Sequence, residues 1–218
     1  MWQRPGIIAG FLLLLILWPG FVAADDDQEL LERLRSGGHT LYFRHVATDW
    51  SHDDQLNQAG DWTSCDDRRM RQLSDAGRAE ARRIGAAMRA LCIPVGQVLA
   101  SPYCRTMETA RLFGIGEVVP SVDVMNLRAA AYFGGRDAIV ASARRLLSTA
   151  PQEGGNRVVV AHGNVAREAT PVYPAEGEAV VFVASDGAGF DVVARIPPMR
   201  WQRLLALAGR AQCGSERR

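Results

Sequence analysis

The sequence contains no lysine, so all 25 of its basic residues are arginines. They are balanced by 24 acidic residues, and the formal net charge is +1. A chain so close to neutrality has no strong overall field for nucleic acid or an anionic membrane surface, and we expect no nucleic-acid partner. Arginine matches phosphate oxygens better than lysine does. Genomic base composition is the simplest explanation for the missing lysines, so composition alone predicts no phosphate site.

The sequence also lacks an apolar run as long as the roughly 20 residues that cross a bilayer. The longest such run lies at 7–18, after the positive Arg4, and Pro19 and Gly20 end it. Small residues follow at Val22-Ala23-Ala24. This layout predicts a secretory signal peptide at 1–24 and a mature chain from Asp25 that is periplasmic or secreted. The alternative is an uncleaved N-terminal anchor; after cleavage we expect no stable membrane span.

Cysteine is scarce, and the four cysteines are widely spaced. An exported chain meets oxidising conditions, which favours one or two disulfides, and four cysteines allow three complete pairings. Since no two have the close spacing of a zinc site, we predict no structural metal. The residues concerned are Cys65, Cys92, Cys104 and Cys213.

The segment 25–218 has no internal repeat and no linker rich in Pro, Gly or Ser, which predicts a single domain. Segments typical of strands alternate with segments typical of helices. That alternation favours an α/β fold, a three-layer sandwich in which helices flank a largely parallel central sheet. The predicted helices are 28–35, 74–91, 102–114, 137–147 and 199–208; the predicted strands are 39–43, 97–100, 157–161, 178–184 and 190–196, the last two forming a hairpin around Asp186-Gly187, and 49–72 is a long polar loop.

Three polar clusters lie at or just after the ends of predicted strands: Arg44-His45, Ser101 with Arg105, and His162-Gly163. In sheets of this kind ligands bind outside the carboxyl ends of the strands, so we expect the three clusters on one rim. Arginine offers paired donors to phosphate oxygens, and histidine can form a covalent phosphoenzyme. The clusters therefore predict a site for a tetrahedral anionic group.

Four short motifs of the sequence occur in the same order as in a known family. The stretch 42–48, YFRHVAT, resembles the arginine-histidine-glycine motif of the histidine phosphatase superfamily, the phosphoglycerate-mutase-like family. LSDAG at 73–77 is similar to that family's L-S/T-x-x-G helix start. SPYCRTMETA at 101–110 is similar to its S-P-x-x-R-T segment, and VVVAHG at 158–163 resembles the strand before its second histidine. The resemblance spans about 40–167, most of the mature chain.

The resemblance implies a role for each matching residue. His45 is the nucleophile that takes the phosphoryl group, Arg44 and Arg105 bind its oxygens, and His162 completes the pocket. No metal or other cofactor is implied. Two further phosphate contacts are implied after the first motif, at Thr48 and Ser51.

Two departures from the family pattern bear on activity. Val46 stands where glycine is usual, so the backbone there is less permissive. The family also supplies a carboxylate that protonates the leaving oxygen, either beyond the S-P helix or directly after the second His-Gly, and here Asn164 occupies the latter position. Spacing does not decide among the remaining carboxylates; the candidates are Asp49, Asp123 and Glu178, with Asp137 and Glu176 also open.

The resemblance implies an exported phosphatase that hydrolyses a phosphomonoester, either a small molecule or an envelope component, through a phosphohistidine intermediate. One alternative is mutase-type phosphotransfer within a sugar acid, which export argues against. Another is a catalytically weak module that only binds phosphate.

A second phosphatase pattern is a decoy. The segment 65–71 satisfies Cys-x5-Arg, but it holds two aspartates and no glycine, whereas cysteine-based chemistry needs backbone amides wrapped around the phosphate. We interpret it as a solvated loop with Cys65 available for a disulfide, and we expect Cys104 to be buried or disulfide-bonded. His39 and His52 are predicted to face solvent. The neighbouring Asp53 and Asp54 are ligand-type residues without a spaced partner, so no metal site is predicted there.

Overall fold

The computed structural model describes residues 20–152, 154–186 and 189–209, and the side chains of 26 onward within the first range. Its centre is a six-stranded sheet in the order β3-β2-β4-β1-β5-β6. The pairs β3-β2, β2-β4 and β4-β1 are parallel, whereas β1-β5 and β5-β6 are antiparallel. The strands are β1 Thr40–Arg44, β2 Val95–Ala100, β3 Val118–Pro120, β4 Asn156–Ala161, β5 Ala179–Ser185 and β6 Gly189–Ile196.

Helices cover both faces of this sheet and make three layers. Alternate residues of β1 point to opposite faces: Leu41 and Phe43 join one apolar cluster, and Tyr42 joins the other. Helices α1, α2, α3 and α6 supply the first cluster, and α4 and α5 contribute to the second. The predicted three-layer α/β fold is therefore confirmed. The helices are α1 Gly20–Ser36, α2 Asp75–Ala90, α3 Cys104–Phe113, α4 Arg136–Ser148, α5 Gly163–Ala169 and α6 Pro198–Ala208.

The helix boundaries follow local sequence signals. Ser74 caps α2 by accepting a hydrogen bond from the backbone N–H of Gly77 at 3.1 Å, as its residue type predicts. Gly114 ends α3 in the left-handed conformation, at φ +61°, which favours glycine. The structure adds elements that periodicity did not reveal, namely β3, α5 and short 3-10 helices at 61–63, 122–124 and 127–132.

Some sequence predictions fall on residues that the structure does not describe. Most of the predicted signal peptide, and Cys213, lie outside the described residues, as does Gly187 of the predicted hairpin turn. Among the described helices, none combines the length and the apolar character needed to cross a membrane. Helix α1 is anchored to α6, because the buried Asp27 accepts a 2.6 Å hydrogen bond from Arg200.

His39 corrects a prediction, because it is buried rather than solvent-exposed. Its backbone N–H donates to the side-chain oxygen of Asn156, and its ring Nδ1 contacts the carbonyl of Gly37. His52 is exposed, as predicted.

Candidate active site

His45 lies directly beyond β1, and the backbone fixes its place. Its N–H donates to the carbonyl of Ala161 at 3.0 Å, which continues the β1-β4 ladder by one step. The ring is only 2% exposed, and Nδ1 lies 2.9 Å from the Val46 carbonyl. Because a carbonyl only accepts, the proton of neutral His45 is on Nδ1, and Nε2 retains the lone pair that a nucleophile needs.

Burial, followed by the charge of Arg105, holds the pKa of His45 well below the ordinary histidine value of 6.5. Arg44 and Arg71 act in the same direction. Desolvation is the largest of these causes, and the arginines add to it. Val46 itself is completely buried in the core, which accounts for a valine at this position, since a side chain here fills space under the site.

His162 is the matching residue beyond β4. Its ring centroid is 5.7 Å from that of His45, and the ring is also buried, which together with Arg105 lowers its pKa well below 6.5. Nε2 is 2.9 Å from the hydroxyl of Ser101, and the His162 carbonyl accepts from the Tyr42 hydroxyl at 2.8 Å. Nδ1 is buried and has no hydrogen-bond partner within the described residues.

The two predicted arginines are held differently. Arg105, in the first turn of α3, is buried and forms a two-pronged ion pair with Asp54, with both N–O distances at 2.9 Å. Arg44 ends β1, and its guanidinium is 3.3 Å from the Tyr173 hydroxyl and 3.4 Å from Glu176. Arg105 is therefore rigidly oriented, whereas Arg44 has longer contacts.

All four predicted catalytic side chains line one open cavity of about 180 Å³, here called the rim cavity. Larger clefts of about 570 Å³ lie between α1 and β6 and beside the start of α2, and His45 lines neither of them. We place the site at the rim cavity because it joins the strand-end histidines to the arginines. Its lining consists of Arg44, His45, Trp50, Asp53, Asp54, Arg71, Arg105, Asn126, Arg128, His162, Gly163, Asn164 and Tyr173.

Several lining residues were missed by the sequence reasoning. Asp54 and Arg71 lie in the long loop, which pairs back on itself through Gln55 and Arg69, and only this folding brings them to the rim. Asn126 and Arg128 come from the region after β3. A regular polar pattern marks none of them, although Arg71 lies only two residues before the L-S-x-x-G motif.

The other predicted phosphate contacts do not line the rim cavity. The hydroxyl of Thr48 donates to Glu176 at 3.2 Å, and the exposed Ser51 hydroxyl lies 2.8 Å from His52. The structure therefore does not bring Thr48 or Ser51 into contact with the space between the histidines.

None of the three main candidates for the general acid lines the rim cavity either. Asp49 and Asp123 are exposed. Asp49 accepts a hydrogen bond from the backbone N–H of Ser51, and Asp123 accepts one from the hydroxyl of Ser121. Glu178 is buried and paired with Arg195 at 2.7 Å; burial raises its pKa, but the bonds from Arg195 and the Ala175 N–H outweigh this and lower it. Within the described residues, the carboxylates that line the cavity are Asp53 and Asp54.

A disulfide joins Cys65 to Cys104, with their Cα atoms 5.4 Å apart. This bond excludes Cys65 as a free phosphatase nucleophile and confirms the interpretation of 65–71 as a decoy. It also ties the long loop to the residue next to Arg105.

Comparison with known proteins supports the same interpretation. The model of the family described as "Histidine phosphatase superfamily (branch 1)" matches residues 41–132. No protein of curated function matches the chain.

Solved structures share the fold at low sequence identity. The protein histidine phosphatase SixA, complexed with tungstate, matches with a TM-score of 0.53 and 14% identity over 74% of this chain and 97% of its own. A mycobacterial glucosyl-3-phosphoglycerate phosphatase matches at 0.50 and 14% over 71% and 96%. Phosphoserine phosphatase from Entamoeba histolytica matches at 0.50 and 15% over 73% and 96%. The family match, on this fold and with four motifs in order, shows that the chain resembles the histidine phosphatase superfamily and supports activity as a hydrolase of phosphate esters.

Proposed function

We propose that the chain is an exported phosphatase that hydrolyses a phosphomonoester through a phosphohistidine formed on Nε2 of His45. The observation that carries the proposal is the convergence of His45, His162, Arg44 and Arg105 on the rim cavity. Among the buried nitrogens of that lining, Nε of Arg105 and Nδ1 of His162 have no partner within the described residues. Buried polar groups are normally hydrogen-bonded, and the oxygens of a phosphoryl group would satisfy both.

The first step uses the tautomer that Val46 selects. The Nε2 lone pair of His45 attacks phosphorus and forms an N–P bond, the P–O bond to the leaving group breaks, and the leaving oxygen takes a proton from solvent water, to which the rim cavity is open. Arg44 and Arg105 offset the charge on the remaining oxygens. Water then attacks phosphorus, the N–P bond breaks, and inorganic phosphate leaves while His45 returns to its neutral form.

Export is part of the proposal, and two features support it. The sequence before Asp25 has the layout of a signal peptide, and the Cys65–Cys104 disulfide is of a kind that persists in oxidising compartments. The substrate is then a phosphate ester of the envelope or the exterior. A fusion of residues 1–24 to a reporter that is active only outside the cytoplasm tests this part: a reporter that stays inactive would contradict export.

The catalytic part is tested with His45→Asn, which keeps a side chain of similar size without the ring. The matched control is His52→Asn, because His52 is exposed and outside the rim cavity. Hydrolysis of p-nitrophenyl phosphate and rapid-quench trapping of an acid-labile phosphoprotein are measured on all three proteins. We expect turnover and trapped phosphate for wild type and His52→Asn and neither for His45→Asn.

Equal hydrolysis by wild type and His45→Asn would overturn the proposal. Tight binding of phosphate without turnover of any ester would instead favour the phosphate-binding module. Conversion of one phosphorylated sugar acid into its isomer faster than hydrolysis would favour the mutase.

A further inference from the structure

Arg71 stands apart from the other arginines of the rim cavity because its charge has no paired carboxylate. Arg44 contacts Glu176 at 3.4 Å, Arg105 contacts Asp54 at 2.9 Å, and the rim residue Arg128 contacts Asp53 at 3.7 Å. Within the described residues Arg71 forms no ion pair, and its side chain donates no hydrogen bond. Its Nε is buried without a partner.

The backbone of Arg71 is nevertheless fixed to the site. Its N–H donates to Asp54 at 3.0 Å, and its carbonyl accepts from the guanidinium of Arg105 at 3.3 Å. Asp54 thus binds the side chain of one arginine and the main chain of the other. The guanidinium of Arg71 is carried on the same rigid unit as that of Arg105.

Trp50 orients the guanidinium. The central carbon of the Arg71 guanidinium lies 3.6 Å from the centre of the Trp50 ring, which is within the range of a cation–π contact. Trp50 itself is 62% exposed, so burial in the core does not account for its placement. This contact restrains the guanidinium, whose N–H groups have no acceptor within the described residues.

Electrostatics point in the same direction. Burial and then the charge of Arg105 lower the pKa of Arg71, and the charge of Arg71 contributes to the lowered pKa values of both His45 and His162. Crowded cations in a half-buried cavity repel each other, and a bound dianion relieves that repulsion.

We infer that Arg71 is a third arginine that binds the phosphoryl oxygens, and that Trp50 is a positioning residue acting through it. This inference rests on the proposed function. The charges of Asp54 and Glu176 act on Arg71 from a distance, but no carboxylate of the described residues forms an ion pair with it. Its guanidinium therefore strengthens binding of phosphate as well as of the transition state. Trp50 restricts the conformations of the Arg71 side chain before a ligand binds, so less conformational entropy is lost on binding.

The test compares wild type with Arg71→Met and Arg71→Lys. The matched control is Arg68→Met, on the same loop, where Arg68 is 85% exposed and pairs with Asp66 at the surface. The kcat and KM for p-nitrophenyl phosphate and the inhibition constants of inorganic phosphate and tungstate are measured. A charge-assisted hydrogen bond predicts a loss of roughly 10- to 100-fold in kcat/KM and in phosphate affinity for Arg71→Met. We expect a smaller loss for Arg71→Lys and none for Arg68→Met.

A double-mutant cycle tests Trp50. Trp50→Leu is expected to weaken phosphate binding in the wild-type background and to have no further effect in Arg71→Met, because its role passes through Arg71. Additive effects would overturn the positioning role and assign Trp50 its own contact with the substrate.

An unchanged phosphate inhibition constant in Arg71→Met, with phosphohistidine still formed on His45, would overturn the inference and leave the proposed function intact. Loss of the native circular-dichroism spectrum in Arg71→Met moves the decision to Arg71→Lys, which must then show weaker phosphate binding for the inference to stand. If wild type forms no phosphohistidine, the proposed function itself fails.

Discussion

Asp54 holds the guanidinium of Arg105 with both carboxylate oxygens at 2.9 Å, and the two side chains are almost completely buried. The pair connects the long loop to the first turn of α3. It orients Arg105 before any phosphate binds, and orientation in advance is what transition-state stabilisation requires.

Replacement of Asp54 by asparagine is expected to lower both stability and activity. Removing one partner of a buried pair leaves a buried charge uncompensated, which costs about 3–5 kcal/mol. We expect that loss in the free energy of unfolding measured with urea, together with a reduced kcat/KM. Asp53→Asn is the control, because Asp53 is exposed and its 3.7 Å contact with Arg128 is a surface pair worth about 0–1 kcal/mol. Unfolding of the two variants at the same urea concentration would contradict a stabilising role for Asp54.

Ser101→Ala is expected to impair the second histidine. The fully buried Ser101 hydroxyl lies 2.9 Å from Nε2 of His162, and when it donates to that nitrogen the ring proton is on Nδ1. Loss of the hydroxyl leaves Nε2 of His162 without a partner, at a cost of about 1–3 kcal/mol in stability. The proton of the ring is then no longer held on Nδ1. We predict a fall of roughly tenfold in kcat/KM, equivalent to about 1.4 kcal/mol in the barrier. The nitrogen chemical shifts of His162 report the tautomer, and unchanged shifts with unchanged activity would contradict this role.

Stability should fall on acidification because of the two buried histidines of the site, with a further contribution from His39, whose pKa is also lowered by burial. The pKa values of His45 and His162 are lowered well below 6.5 in the folded protein, first by burial and then by Arg105. Below pH 6.5 the unfolded chain therefore binds protons that the folded chain does not, and the stabilisation present above pH 6.5 is progressively lost. Each histidine contributes about 1.4 kcal/mol per pH unit in that window.

The measurement is urea unfolding between pH 7 and pH 5. The free energy of unfolding should fall less steeply with decreasing pH in His45→Asn than in wild type. The difference in slope corresponds to about one bound proton, because the carboxylates contribute equally to both proteins. Identical pH slopes for the two proteins would show that His45 titrates normally when folded.

Loss of the Cys65–Cys104 disulfide is expected to affect the loop first. A double Cys65→Ser/Cys104→Ser variant should lose about 2–4 kcal/mol of stability. Activity should also fall, because Asp54 and Arg71 belong to the loop that the bond ties to α3. Thermal unfolding and kcat/KM are compared with the oxidised wild type. Equal unfolding temperatures would mean that the hydrogen bonds of the loop hold it without the bond.

The sequence was sufficient for the parts of the site that lie at strand ends. Arg44, His45 and His162 end or follow strands whose apolar residues are recognisable, and the carboxyl ends of parallel strands share one edge of a sheet. Arg105 follows a capped turn and a helix start. Local signals and one rule of topology therefore place these four residues together.

The loop residues required the tertiary structure. Asp54, Trp50 and Arg71 lie in a polar stretch with no helical or strand period, so nothing local indicates which side chains turn inward. Their positions depend on the disulfide and on the ion pair with Arg105, both of which join residues far apart in the sequence. The candidate acids failed to converge for the same reason: proximity to a motif in sequence did not bring Asp49 to the cavity.

The hydrogen bond from the His45 N–H to the Ala161 carbonyl has an evolutionary consequence. It sets the relative positions of the two histidines through main-chain atoms, which every amino acid carries. Surface and core side chains can therefore drift in a lineage while the distance between the histidines is inherited unchanged. A chain can then keep the fold of SixA at 14% identity, whereas the loop is held to α3 by the side chains of Asp54 and Cys65, so substitutions there would change its position.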